Sequence, residues 1–432
     1  MTLALTVFLA STHVMTLAEA LQTAQKDQPT VHQARANTDA ARARVGEARA
    51  PLLPQIFGSG LYSRATSNSS AGSIPACVQV GSGMTTTGSF GSPSWTTCDR
   101  WAFSITAQQT LWDASGQLAR WRQNAAFAEG VAETEQATRL GVALNVRTFY
   151  FTARANKMLV QVARDTLANQ QRHLDQVVGF VKVGTQPEIA LAQQRTAVAN
   201  AQVQLINAEN NYEVAKAQLN QAIGLERDTN YDVEDSSTPA IAGEDSDTDP
   251  LLVEALKSRP DYISLEKQVD AQRLAVWAAK TAYGPSLTAS TQFSDNGIDL
   301  GHLVWNWNFS LTLNWQLFQG GLTWYTVKEQ KANLEGVEAQ RDLLRQQVRL
   351  GVEQARLAVR AAKAALGAAN EAEANAREQL RLAEGRYKAG VGSIIELGDS
   401  QVAATTAAAQ KVQADYNVST ARAQLLNALG RY

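Results

Sequence analysis

The chain has 432 residues, of which 45% are hydrophobic and 19% are charged, so it is long enough for two or three ordinary domains. Its net charge of −2 gives no reason to expect nucleic acid or an anionic membrane surface as a partner. No stretch reaches the ~18 consecutive apolar residues that a membrane-spanning helix requires, which excludes that class of membrane protein.

The first half of the chain begins with a short apolar run at 3–10, which is typical of a truncated secretory signal. We therefore predict that residues 1–14 are the remnant of a signal. An Ala-rich helical pattern follows over 17–50, and Pro29 suits the first turn of a helix, where a missing N–H costs nothing. Pro51 and Pro54 cannot continue a helix, so they predict a change to strand.

Two strands are predicted over 55–66 and 100–112, separated by a polar stretch rich in Gly, Ser and Thr that is typical of a long loop at the surface of the protein. The two cysteines of the chain, Cys77 and Cys98, flank part of this loop. They are either two unrelated free thiols or a disulfide. The shared polar segment favours the disulfide, which implies an oxidising compartment.

A run rich in Ala, Gln, Arg and Glu with hardly a helix breaker fills 116–182, which corresponds to ~100 Å of helix. Helices of this length are unusual in globular domains, so the run predicts a coiled coil. A glycine turn, Val183-Gly184-Thr185, leads to a return helix predicted over 186–224. An acidic, Pro-containing linker at 232–250 ends this half.

The second half repeats the plan of the first, so that 15–231 and 251–432 form two repeats. Pro29 and Pro54 match Pro260 and Pro285 at an offset of 231 residues. Gly390-Val391-Gly392 takes the place of the first glycine turn. The elements predicted for this repeat are helices over 251–283, 321–388 and 394–430 and strands over 286–295 and 303–318.

Apolar and polar residues alternate along the predicted strands, most clearly where Trp305, Trp307 and Phe309 alternate with Asn306 and Asn308. This period of two gives each strand one apolar and one polar face. The apolar face would meet a second sheet in a soluble sandwich, or lipid in a membrane barrel.

The number of strands per chain limits how such a barrel is closed. Single-chain membrane barrels start at about eight strands, and open strand edges are not tolerated in lipid. Several copies of the chain must therefore share one barrel. Three copies would supply 12 strands, whereas two would supply eight, too few for a wide pore.

The order and spacing of these features resemble those of the TolC-like outer-membrane efflux and export channels over essentially the whole chain. Three short motifs carry the resemblance together with the duplication: Leu17-Ala18-Glu19-Ala20-Leu21, Leu317-Phe318-Gln319-Gly320-Gly321 and Arg386-Tyr387-Lys388-Ala389-Gly390. The resemblance implies an α+β membrane protein with a duplicated helix–β-hairpin–long helix–helix repeat. It further implies a homotrimer whose 12-strand outer-membrane β-barrel continues as a periplasmic α-helical coiled-coil tunnel.

The implied function is the exit duct of a tripartite efflux or type I secretion system in the outer membrane and periplasm of a Gram-negative bacterium. The implied partners are outer-membrane lipid, a periplasmic adaptor protein and an inner-membrane pump. No enzyme activity and no cofactor are expected. The sequence leaves the exported substrate open, because the pump selects it.

The resemblance also assigns functional residues near the two glycine turns. It implies contact with the adaptor at Val183, Gly184 and Thr185 and at Gly390, Val391 and Gly392. Some relatives lock the closed tip with an Arg and an Asp, but the corresponding positions here hold Gly392 and Ala190, so that lock is not expected.

Glu396 and Asp399 share one face of the helix that follows the second turn. They match an acidic pair that the family places at the periplasmic mouth of its tunnel, where three copies would form a gating ring of carboxylates. The alternative is an ordinary solvated helix N-terminus, where the helix dipole favours acidic residues. We favour that alternative for Glu188, which follows the first turn.

Two other functions are alternatives to the channel. A coiled-coil scaffold of the cell envelope explains the long helices but not the duplicated Trp-rich strands. A soluble helical-bundle enzyme requires a catalytic constellation, and we recognise none in the sequence. His13, His32, His173 and His302 are scattered without the spacing of metal ligands, so no metal site is predicted.

Overall fold

The computed structural model describes residues 13–66, 97–226, 231–236 and 239–432. Most of the predicted surface loop, including Cys77, lies outside these ranges. The disulfide between Cys77 and Cys98 therefore stays a prediction.

The first repeat contains two long helices that follow a β-hairpin. Its elements in chain order are β1 (His13–Met15), α1 (Leu17–Asp27), α2 (Pro29–Arg49), a 3₁₀ turn (Ala50–Leu52), β2 (Gln55–Thr66), β3 (Thr97–Trp112), α3 (Gly116–Lys182), α4 (Glu188–Ile223) and β4 (Tyr231–Val233).

The second repeat has the same plan. Its elements are α5 (Thr248–Ser258), α6 (Pro260–Thr281), β5 (Ser286–Gly297), β6 (Val304–Asn314), α7 (Leu322–Lys388) and α8 (Ile394–Ala428). The strands predicted over 100–112, 286–295 and 303–318 thus differ from β3, β5 and β6 by up to four residues at their ends.

Each repeat begins with two helices, within ranges that the sequence predicted as one helix over 17–50 and as helices over 251–283. The breaks fall at Gln28 and Arg259, whose backbones are extended, with ψ of 119° and 116°. Pro29 and Pro260 explain both breaks, because the proline ring disfavours the helical conformation in the residue before it. The prolines begin the second helix of each repeat and end the first.

A small parallel pairing joins two segments that the sequence assigned to a signal remnant and to a linker. His13, Val14 and Met15 of β1 pair with Tyr231, Asp232 and Val233 of β4. The Tyr150 hydroxyl, which is buried, shares a hydrogen bond between the carbonyl oxygens of Met15 and Glu234 at 3.3 and 3.2 Å. Residues 13–14 and 232–233 therefore take part in the fold, whereas the signal remnant over 1–14 and the acidic linker over 232–250 stay predictions.

By their internal contacts the described residues divide into two compact units. Unit 1 comprises the described residues of Met1–Thr38, Gly130–Glu266 and Ala339–Tyr432, and unit 2 comprises those of Asp39–Glu129 and Lys267–Glu338.

Unit 2 contains a four-stranded antiparallel sheet in the order β2-β3-β5-β6. Its register produces alternating apolar and polar rows. Ile105 pairs with Phe293, which pairs with Trp307, and the neighbouring row contains Ser104, Ser294 and Asn306. Ile105, Phe293 and Trp307 remain 60%, 47% and 63% exposed. The sheet therefore presents a large apolar face, which the described residues of the chain leave uncovered.

The connection from β3 to α3 has a strained backbone that its counterpart in the second repeat avoids. Ala114 and Ser115 have φ of 52° and 70°, in the left-handed region. The equivalent positions before α7 are Gly320 and Gly321, with φ of 60° and 88°. Residues with a Cβ adopt this region at a cost of roughly 1–2 kcal/mol, whereas glycine adopts it freely.

Unit 1 has one apolar core for each repeat. The first core lies among α1, α3, α4 and the β1–β4 pair, and Tyr150, Leu219 and Ile223 are fully buried in it. The second lies among α5, α7 and α8 and includes Val352 and Leu425. Each repeat thus buries its own apolar side chains in unit 1.

A buried ion pair reinforces the second core. Glu244 is 6% exposed and lies 2.6 Å from the Lys363 ammonium and 2.9 Å from Arg422 Nε. Burial alone would raise the pKa of this carboxyl, but the donors outweigh burial and lower the pKa to about 2. Its contribution to stability is present above the ordinary pKa of a Glu and is lost as the pH falls through about 2.

Among the described helices, none combines the length and the apolar character needed to cross a membrane.

Ala114→Gly is expected to stabilise the protein, because glycine relieves the left-handed strain. The net gain is up to about 1 kcal/mol, since glycine also increases the entropy of the unfolded chain. The matched reverse change, Gly320→Ala, should destabilise by about 1–2 kcal/mol. Thermal unfolding in detergent, followed by circular dichroism, measures both. A lower midpoint for Ala114→Gly than for the wild type would contradict the strain argument.

Candidate functional site at the hairpin tips

Each pair of long helices is joined by a short turn at one end. The first tip turn (183–187) joins α3 to α4, and the second tip turn (389–393) joins α7 to α8. Both lie in unit 1.

The first tip turn closes through backbone hydrogen bonds onto the end of α3. Gly184 N donates to Val181 O at 3.0 Å, and Thr185 donates through both its N and its Oγ1 to Phe180 O, at 2.9 and 3.0 Å. Gly184 has φ of 78°, which ends the helix in the left-handed region. The turn leaves Val183 72% exposed.

The second tip turn is tighter. The backbone N–H groups of Val391 and Gly392 both donate to Arg386 O at 3.0 Å. A Cβ at Gly392 would lie 2.8 Å from Tyr387 N and 3.0 Å from the carbonyl carbon of Arg386, so no other residue fits without movement of the backbone. The Ser393 hydroxyl then caps α8 by accepting from Ile395 N and Glu396 N.

A small apolar group, here called the tip cluster, joins the two hairpins next to these turns. The Phe180 ring meets the Tyr387 ring edge to face, with centroids 5.8 Å apart. Leu397 of α8 is buried beside them. The members of the tip cluster are Phe180, Leu380, Ala383, Tyr387, Ile394 and Leu397.

The acidic pair lies one helical turn apart at the start of α8. Asp399 is exposed and Glu396 is half-buried. Glu396 Oε1 lies 3.4 Å from Arg386 Nε, and both side chains are more than 40% exposed, so solvent weakens this ion pair. Sequence reasoning did not predict the ion pair between Glu396 and Arg386, although Arg386 belongs to one of the three motifs that carry the family resemblance. Asp399 is therefore the carboxylate with more of its charge available.

The two positions at which some relatives have a tip lock carry no side chain that could form one. Gly392 lies within the second tip turn, and Ala190 of α4 is 3% exposed. Contact between the hairpins here depends instead on the tip cluster and on the approach of His173 to Glu384, with 3.6 Å between Nε2 and Oε1. Sequence reasoning did not single out either contact.

The ends of both hairpins also expose large apolar side chains. Ile189 and Ile395, at the starts of the two return helices, are 66% and 72% exposed, and Val391 is 71% exposed. Sequence reasoning identified Val183 and Val391 but not the two isoleucines. Within the described residues no group of three or more His, Cys, Asp or Glu side chains is placed to hold a metal ion.

Comparison with known proteins extends over both repeats. The profile of the family described as "Outer membrane efflux protein" matches residues 20–225 and 251–431. "Outer membrane protein TolC" of Escherichia coli (strain K12) is 25% identical over 462 aligned positions, which cover 99% of this chain and 85% of the relative. "Probable efflux pump outer membrane protein TtgC" of Pseudomonas putida is 24% identical, with 90% and 77% covered.

The fold is also that of solved channels. The crystal structure of the Campylobacter jejuni CmeC outer membrane channel superimposes with a TM-score of 0.79 at 19% identity. The superposition covers 96% of this chain and 85% of that one. At this identity the likeness shows the fold alone. Together with the family match, it confirms the resemblance seen in the sequence.

Gly392→Ala is expected to loosen the second tip turn, because the new Cβ would clash with the backbone of Tyr387 and Arg386. The cost should be about 1–3 kcal/mol, and the amides of residues 391–392 should exchange with deuterium faster than in the wild type. Gly398→Ala is the matched control. A Cβ there meets nothing within 4 Å, and alanine favours the helix by about 1 kcal/mol. Unchanged protection of the turn in Gly392→Ala would contradict the packing argument.

Proposed function

The chain belongs to the outer membrane efflux protein family, and we propose that three copies of it enclose one continuous channel through the outer membrane. The family consists of transport channels of the outer membrane of Gram-negative bacteria, not of enzymes. The observation that carries the proposal is the four-stranded sheet of unit 2, which has an uncovered apolar face and two free edges.

The free edges determine how the sheet must be completed. Within the described residues, β2 and β6 each pair on one side only. Along β6, Trp305, Trp307, Phe309, Leu311 and Leu313 are between 56% and 68% exposed. Exposure of these apolar side chains to lipid is favourable, but exposure of the unpaired backbone N–H and C=O groups at the two sheet edges is not. Pairing of β6 in one copy with β2 in the next satisfies the backbone, and three copies close a 12-strand barrel.

The long helices would continue this barrel as a periplasmic tunnel. Alanine occupies many buried positions of α4 and α8, such as Ala201, Ala215, Ala407 and Ala414. Small side chains allow helices to pack closely side by side, as the wall of a tube requires. A coiled-coil scaffold of the envelope is the alternative, but it gives no role to the amphipathic sheet.

A periplasmic adaptor and an inner-membrane pump are the partners that we propose for the tips. The relative from Pseudomonas putida is named as the outer membrane protein of an efflux pump. The tip turns offer exposed apolar side chains, Val183 and Val391, beside backbone that folds sharply at Gly184, Gly390 and Gly392. Two relatives from Pseudomonas putida are named as the outer membrane proteins of an antibiotic efflux pump and of a toluene efflux pump, which favours small molecules as the cargo here. Type I secretion of proteins stays open, because the pump selects the cargo.

We propose that Glu396 and Asp399 form a carboxylate ring at the periplasmic mouth. Three copies would bring together six carboxylates, which favour cations over anions in a narrow opening. Arg386 offsets part of the charge of Glu396, so Asp399 is expected to contribute more to the ring. Water at the mouth screens these charges over about 8 Å at physiological salt.

The double variant Glu396→Gln/Asp399→Asn is expected to lose cation selectivity in a planar lipid bilayer. Reversal potentials in a salt gradient should show a several-fold fall in the ratio of cation to anion permeability. Block by a trivalent cation added on the tip side should disappear, because its binding site is gone. Trimer formation, checked by native mass spectrometry in detergent, should not change.

Glu371→Gln/Glu378→Gln provides the matched control, since it removes the same charge from α7 at positions placed further from the tip turn. This control should keep both the selectivity and the trivalent block. Wild-type selectivity and block in the Glu396/Asp399 variant would reduce both acids to solvated residues of a helix N-terminus. Absence of any conductance from the wild-type protein would overturn the channel itself.

A further inference from the structure

A buried histidine lies where the two hairpins meet near their tips. His173 of α3 is 5% exposed, and its Nε2 lies 3.6 Å from Glu384 Oε1 of α7. The Nε2 atom has no hydrogen-bond partner among the described residues. Buried polar atoms normally have partners, so this one calls for an explanation.

The protonation state of the ring decides which contacts it can make. Nδ1 lies 3.4 Å from Gln176 Oε1, on the same helix. In the neutral tautomer that donates to Gln176, Nε2 carries a lone pair and faces the Glu384 carboxylate without a proton between them. Addition of a proton at Nε2 would place a full positive charge on a side chain that is almost entirely buried.

The charges around the ring do not compensate for that cost. Glu384 favours the charged form, but its side chain is 27% exposed. Arg172 from α3 and Lys388 from α7 both disfavour it. Burial, the largest effect, and these two cations together hold the pKa of His173 below its ordinary value despite Gln176 and Glu384.

We propose that His173 is a proton sensor in the contact between the two hairpins, and that acidification separates the tips. When α3 and α7 move apart, the ring becomes hydrated. It can then carry the second proton without the desolvation penalty that burial imposes on the charged form. Protons therefore bind better to the separated arrangement and shift the equilibrium towards it. This inference rests on the proposed channel, whose mouth the tips surround.

The direction of the effect follows from linkage. A histidine whose pKa is lowered by the closed arrangement stabilises that arrangement above its ordinary pKa of ~6.5. This stabilisation is lost as the pH falls through the lowered value. Between pH ~6.5 and the lowered pKa of His173, the ratio of separated to closed tips can change by up to about tenfold per pH unit and subunit.

The distance between the tips provides a test that does not depend on conductance. Spin labels at Val183→Cys and Val391→Cys, in a background with Cys77→Ser and Cys98→Ser, report one distance within each subunit when labelled chains are diluted with unlabelled ones. A change from pH 7.5 to pH 5.5 is expected to increase the long-distance population several-fold. His173→Gln keeps an amide that can bond to Gln176 but does not titrate, so it should remove the response.

Two further variants separate titration of His173 from other effects of acid. His302→Gln removes an exposed histidine of unit 2 and should leave the response intact. Glu384→Gln removes the one carboxylate that favours protonation in the closed state, so the response should persist or increase. Glu396 and Asp399 remain in all of these proteins, so a difference between the variants cannot come from these two acids.

A distance distribution that does not change with pH, or that changes equally in His173→Gln, would overturn the proposal. A shift towards shorter distances in acid would also overturn it, because it would mean that a His173–Glu384 ion pair closes the tips. Bilayer recordings at the same two pH values complete the test. Conductance that is present but unaffected by His173→Gln refutes the sensor alone, whereas absent conductance with an acid-dependent distance refutes the channel alone.

Discussion

Both units of the molecule depend on contact between the two repeats, because neither repeat completes a sheet or a hairpin bundle alone. In unit 2 the strand pair β2–β3 comes from the first repeat and β5–β6 from the second, and the ladder between β3 and β5 joins them. In unit 1 the side chain of Arg154 on α3, 12% exposed, reaches Asp415 of α8 at 2.7 Å. The two repeats therefore fold together within each unit, although each repeat keeps its own apolar core in unit 1.

The contact between the repeats changes in character along α3. Near Arg154 it contains a close ion pair, and further along Thr166 and Thr405 share a hydrogen bond of 3.1 Å. Near the tips it consists of the aromatic contact between Phe180 and Tyr387 and of a histidine with an unpartnered nitrogen. Local opening is expected where a contact has few satisfied polar groups and a small apolar cluster. The tips are therefore the part of unit 1 that is best suited to a reversible opening.

The sequence contains most of the information on the elements and less on their contacts. The range 116–182 of the first long helix, and its end at a glycine turn, follow from composition and from Gly184, and the structure has a helix over the same residues. Alternation along β6 predicts an apolar face because the period of a strand is two. The breaks at Gln28 and Arg259 were also predictable, since a proline follows each of them. Pairing of β1 with β4 was not, because three-residue strands more than 200 positions apart leave no periodic signal.

At the candidate site, sequence reasoning placed the acidic pair at the start of α8 but not the charge that faces it. Arg386 approaches Glu396 across the second tip turn, and this proximity arises from the fold of the turn at Gly390 and Gly392. The same limit applied to His173, which as a scattered histidine in the sequence gave no indication of Glu384 opposite it. Spacing along a helix predicts which residues share a face, whereas contacts between hairpins depend on tertiary packing.

Site-directed disulfide formation can show whether the free edges of the sheet pair between copies of the chain. Ser59→Cys on β2 would be combined in turn with Asn306→Cys, Asn308→Cys and Ser310→Cys on β6, in a background with Cys77→Ser and Cys98→Ser. We expect at least one combination to give cross-linked dimers and trimers, and nothing larger, on a denaturing gel after mild oxidation in membranes. Each single-cysteine protein should stay monomeric on that gel. Monomers from every combination, or an open ladder that continues beyond the trimer, would contradict this closed pairing of the edges between copies.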